Sequence, residues 1–298
     1  MSIRVGNAPC SWGIDYADEP GNLPWERCLD EVRASGVDCV DLGPPGYFPE
    51  EPGTLAEALA RRGLALTAGH LFEHFNDPGA RNAILAQAHR VCAVLTSLGV
   101  DRLVVIDHIS PERGRTAGRS EAARRLPKAD WSAMMASFAA VGRLARDEYG
   151  VRAALHPHAA CYVEFDDEIE AAMNDLDPDL VGLCVDTGHS AYAGVDPTAL
   201  VRRYGDRLVH VHFKDVDPGV RRQVLADGVD FERAVSRGIF CPLGQGMVDF
   251  AGFRDALAAV GYASWGSIEQ DVDPAGRTDF VANARASISY LREVGIAR

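Results

Sequence analysis

Short β-branched and apolar runs recur along this chain, each separated from the next by a longer segment with helical spacing. That alternation is its most restrictive feature, because strands linked by helices pair in parallel and bury both faces of their sheet. Strands are expected near 3–9, 37–43, 64–70, 102–107, 151–157, 181–186, 207–213 and 264–269. Eight such units suit a closed (β/α)8 barrel. The intervening segments carry apolar residues three and four apart and then stop at glycine. Examples are Leu55 and Leu59 before Gly63, Val91 and Leu95 before Gly99, and Phe138 and Val141 before Gly150. Glycine there provides the left-handed residue that ends a helix.

The fold class expected is therefore α/β, one barrel domain over 1–298, a length that such barrels occupy as a single unit. Two connections exceed the usual loop length, about 108–127 and about 214–248, the second a long βα insertion. Both follow a strand, so both are expected on the active-site face. The first contains Arg113, Arg115 and Arg119, which read as a solvated loop or, alternatively, as a small anion pocket. A net charge of −13 argues against nucleic acid, because neutralising phosphates needs a basic surface. No apolar run approaches the roughly 20 residues of a membrane span. The N-terminal segment lacks the basic flank and apolar core of a signal peptide, and the seven cysteines are scattered and never paired as CxxC. A cytoplasmic protein is expected. The oligomeric state is open, and a homo-oligomer is compatible with the sequence.

Four of the runs stop at residues that can bind a metal: His156, Asp186, His212 and Glu269. Such ligands need only converge in space, and strand ends at one barrel mouth bring them together without clustering in sequence. Each has a plainer reading, as a helix cap, a hydrogen-bonded core histidine or a surface carboxylate. Four successive strands ending this way favour the shared site. Alternation puts His210 on the face of His212 but one layer deeper, where a core role is expected. A mixed N/O set suits Mn²⁺ or Co²⁺, with Mg²⁺ and Zn²⁺ also compatible, and suits a soft, thiolate-preferring metal poorly. A metal held there can polarise a carbonyl and stabilise an enediolate. His158, His189, Lys214 and Glu164 are the nearby general acids or bases, although Glu164 also fits the acidic first turn of a helix. Trp12, Glu73 and Glu164 are expected to touch substrate. His70, Phe72 and His74 read as loop packing. Lys214 and Asp215 either reach substrate or pair with each other.

The series HPH, CVDTGH, HVHFKD and IEQD resembles the xylose-isomerase-like TIM-barrel superfamily. HVHFKDVDP, with the insertion that ends in GIFCPLGQGMVDF, is most similar to its inosose dehydratases. The resemblance implies a (β/α)8 TIM barrel with ligands at His156, Asp186, His212 and Glu269, and a substrate-contacting histidine at His189. His156 stands where the superfamily pattern has glutamate, which disfavours epimerisation by paired glutamates. Ala159-Ala160-Cys161-Tyr162 stands where such dehydratases have a Gly-Thr turn. The activity implied is a metal-dependent lyase dehydrating a keto-inositol such as 2-keto-myo-inositol. A keto-sugar isomerase or epimerase is the alternative, and a non-catalytic sugar-binding or partner subunit a third.

Overall fold

The computed structural model describes residues 2–273 and 279–298. Parallel strands β1 (Arg4–Asn7), β2 (Cys39–Val40), β3 (Ala65–Leu66), β4 (Gly69–Glu73), β5 (Arg102–Asp107), β6 (Arg152–Leu155), β7 (Val181–Asp186) and β8 (Leu208–Phe213) follow in turn. A two-residue strand β9 (Asp215–Val216) pairs antiparallel with β10 (Phe240–Cys241), and β11 (Trp265–Ile268) completes the main sheet. The sheet order β3-β2-β1-β11-β8-β7-β6-β5-β4 begins and ends with two consecutive pieces of chain. β3 pairs with β2 and β4 with β5, so the expected third strand is broken at Thr67 and Ala68, where it changes partner. Thr67 still donates to Val40, and Leu42 donates to Ala68. The eight-unit barrel is thereby closed, and the TIM-barrel expectation is borne out.

Helices Pro52–Arg62 and Lys128–Tyr149 end at Gly63 (φ 61°) and Gly150 (φ 65°), as their sequences predict. Their apolar faces pack on the strands and exclude water. Among the described residues, no helix is long and apolar enough to cross a membrane.

Two mouth segments are fixed by buried charges. In the 108–127 connection Arg113 has no exposed surface; its guanidinium donates to Glu168 at 2.6 and 3.0 Å and to Glu164 at 3.3 Å. Glu164 also accepts from the backbone N–H groups of Gly118 and Ala160. Burial pushes the Glu164 carboxyl up to about 7 against the lowering pull of these donors and of Arg113. Glu164, expected as a substrate contact or acid–base group, is held here by Arg113 and two backbone donors as an anchor of this segment, and Arg113 is engaged internally rather than presented as an anion pocket. Removing one partner of such a set leaves buried charge uncompensated. Arg113→Ala is therefore expected to cost about 3–5 kcal/mol, measurable as an earlier denaturant midpoint.

The 214–248 insertion folds into helices Pro218–Ala226 and Phe231–Ser236 and returns along β10. Asp215 ties the return down, accepting from the N–H groups of Val216, Gly244, Gly246 and Val248 at 2.9–3.0 Å. It does not pair with Lys214. Its carboxylate is drawn to these four donors because no water reaches it.

Candidate active site

At the C-terminal ends of β6, β7, β8 and β11, His156, Asp186, His212 and Glu269 bring one ligand atom each to within 4.8 Å of one another. All four are buried. Asp186 caps helix Thr187–Ala193 with Oδ1, accepting from His189 N at 2.7 Å, and so turns Oδ2 into the barrel mouth. That oxygen lies 3.5 Å from His156 Nε2 and 3.9 Å from His212 Nδ1. His212 Nδ1 is 3.3 Å from Glu269 Oε2, yet is buried without a hydrogen-bond partner. An orphaned imidazole nitrogen facing two carboxylates in a dry site fits a cation, and the donor set of two imidazoles and two carboxylates fits a divalent metal. Burial alone would raise both carboxyls. Lys214 and His156 outweigh it at Asp186, and His212 and Lys214 at Glu269, so both stay below the ordinary carboxylate range.

The acid–base candidates form a contiguous arc beside this set. The Lys214 ammonium reaches Asp271 Oδ1 and His189 Nε2, both at 2.8 Å, and stands 3.3 Å from Glu269 and 3.6 Å from Asp186. Burial pulls its pKa down, but Asp271, Asp186 and Glu269 carry it well above the ordinary value. The rings of His158 and His189 lie with centroids 3.7 Å apart, tilted by 37°. Burial and neighbouring cationic groups hold both histidines neutral, well below the usual imidazole range. His158 Nδ1 is 2.7 Å from Ala159 O, an acceptor only, so the proton sits on Nδ1 and Nε2 carries the free lone pair. Ala160, next in this turn, has φ 69°, a conformation that favours the glycine implied by the resemblance.

The insertion supplies an aromatic wall to this arc. Phe231 meets His158 and His189 at 5.8 and 5.9 Å, while Phe240 meets His189 at 5.3 Å and lies under the Lys214 ammonium at 5.1 Å. Sequence reasoning missed both phenylalanines, because the residues they touch lie far away in the chain.

Two expected substrate contacts are displaced. Trp12 is buried, and its indole N–H donates to Glu31 Oε2 on helix Trp25–Ala34 at 2.9 Å, so hydrogen bonding turns it toward the helix layer. Glu73 shares a strand face with Gly69, which abuts Val91 and Leu95 of the outer helix. The opposite face carries His70 and Phe72. Phe72 stacks on His108 at 4.5 Å and reaches His158 at 5.5 Å, which makes it the wall residue of this strand. His70 is not loop packing: it is buried, with Nε2 3.5 Å from His212 Nε2.

Residues 29–294 match the family model described as xylose isomerase-like TIM barrel. The chain is 35% identical over 283 residues to the rhizopine catabolism protein MocC of Rhizobium meliloti, covering 92% of this chain and 83% of the relative. It is 31% identical over 281 residues to an inosose dehydratase of Geobacillus kaustophilus, covering 92% and 89% respectively. A xylose isomerase-like TIM barrel protein from Mycobacterium smegmatis, solved in complex with magnesium, superposes with a TM-score of 0.72 at 20% identity. That match spans 99% of this chain and 98% of the other.

Proposed function

Because the chain belongs to the xylose isomerase-like TIM barrel family, we propose that it is a divalent-metal-dependent dehydratase of a cyclic polyhydroxy ketone such as 2-keto-myo-inositol. His156, Asp186, His212 and Glu269 would hold the metal, with Mn²⁺ or Co²⁺ favoured by the donor set and Mg²⁺ or Zn²⁺ compatible with it. Such an ion polarises a ketone carbonyl and acidifies the adjoining C–H.

The observation that carries this reading is the one-sided arrangement of the remaining proton-transfer groups. His158, His189 and Lys214 touch one another in sequence along the β6–β8 arc. Epimerisation needs a proton acceptor on one face of a carbon and a proton donor on the opposite face. Elimination can take a proton and protonate a departing hydroxide from the same side. His158 Nε2 accepts the α-proton, the C–H electron pair forms the new C=C bond, and the β C–O bond breaks. The Lys214–His189 pair delivers a proton to the leaving hydroxide, which departs as water. With Asp186 and Glu269 engaged as ligands, Lys214 keeps Asp271 and His189 as its own partners. Phe231, Phe240 and Phe72 exclude bulk water from the intermediate.

Metal-loaded protein incubated with 2-keto-myo-inositol is expected to release one water per turnover and yield an ultraviolet-absorbing dione, followed by absorbance and mass spectrometry. Solvent deuterium entering the substrate carbon without loss of water would instead establish an isomerase or epimerase. Binding without either change would indicate a non-catalytic subunit.

A further inference from the structure

One layer below the ligand set, the barrel interior holds a polar group that the chemistry above does not use. Asp41, the residue after β2, has no exposed surface. Its Oδ1 accepts from Ser267 Oγ at 2.6 Å, and Ser267 Oγ lies 3.2 Å from His210 Nε2. Donation from His210 to Ser267 and from Ser267 to Asp41 satisfies this side of the carboxylate. Oδ2 has no hydrogen-bond partner. It faces His70 Nε2 at 3.5 Å and both His210 Nε2 and His212 Nε2 at 3.8 Å. A dry carboxylate oxygen without a donor is costly to maintain, so its surroundings call for an explanation.

His212 provides one. Its Nδ1 faces Glu269 and Asp186, and its Nε2 faces His70 Nε2 at 3.5 Å and, as the nearest carboxylate on that side, Asp41 at 3.8 Å. An imidazole that gives its Nδ1 lone pair to a metal carries its proton on Nε2, and here that proton points toward the unpartnered oxygen. We propose that Asp41 is a positioning residue for the metal ligand His212: its carboxylate accepts the Nε2–H, fixes the tautomer, orients the ring and strengthens Nδ1 as a donor. The inference rests on the metal reading above. At 3.8 Å the pair is beyond hydrogen-bond length, and a ring adjustment of about 1 Å completes the bond. His70 does not exclude it, since one carboxylate oxygen has two lone pairs and can accept from both rings. The Ser267 hydroxyl holds the opposite oxygen and so aims Oδ2 at His212.

The test compares full-length wild type, Asp41→Asn and Ser267→Ala, each stripped of metal and titrated with Co²⁺ against a competing chelator. Ligand-field absorption of bound Co²⁺ and thermal unfolding of the metal-free proteins are recorded in parallel. Asp41→Asn is expected to bind Co²⁺ about 10–100-fold more weakly with an altered absorption band, and Ser267→Ala to show a smaller loss in the same direction. A purely structural role would move metal-free unfolding and leave affinity and spectrum alone. Wild-type affinity and spectrum in Asp41→Asn would overturn the inference while leaving the metal site intact. Failure of wild type to bind Co²⁺ would overturn both. Should Asp41→Asn not fold, Ser267→Ala decides by the same criteria.

Discussion

Asp186→Asn is expected to abolish stoichiometric metal binding and to lower kcat/KM by about 10³-fold, with little change in fold. Asparagine retains a side-chain oxygen that can accept from His189 N, so the cap on helix Thr187–Ala193 survives. What disappears is the negative charge opposite His156, His212 and Lys214. Lewis-acid polarisation supplies several kcal/mol to the transition state, and each 1.36 kcal/mol is tenfold in rate, which sets the size of the loss. Elemental analysis of the purified variant, alongside steady-state kinetics and circular dichroism, checks it. A variant with full metal content and wild-type turnover would remove Asp186 from the ligand set.

Lys214→Met is expected to separate metal binding from catalysis. The lysine stem passes over Gly188, where an added Cβ would collide with it, and methionine's unbranched chain fits the same slot. The variant loses the ammonium that contacts His189, Asp271, Asp186 and Glu269. With that competing cation gone, metal affinity should hold or rise. Turnover should fall by about 10²–10⁴-fold, the usual contribution of a general acid or base. Unchanged kcat would assign the proton-transfer role to His158 and His189 alone. Loss of metal together with activity would make Lys214 a structural support of the ligands.

The candidate ligand set could be picked out because the runs at β7, β8 and β11 stop at Asp186, His212 and Glu269, and strand periodicity fixes the face each takes. The same signal was present at β2. Cys39-Val40-Asp41 repeats the Cys184-Val185-Asp186 ending, but the run is short and its histidine partners lie on other strands. Glu73 was favoured over Phe72 for its chemistry, whereas strand parity places Phe72 toward the mouth.

By itself the sequence determined the repeating βα units, the helix stops, and which strand ends carry ligand-type residues. These follow from local periodicity and backbone sterics, which neighbouring residues dictate. Only the tertiary structure decided which partners meet each buried charge: Glu164 with Arg113, Asp215 with the returning insertion, Lys214 with Asp271, and Asp41 among three histidines. Each of those pairings joins separate segments of chain. Their energies depend on distance and on exclusion of water, both of which exist only after the barrel has closed.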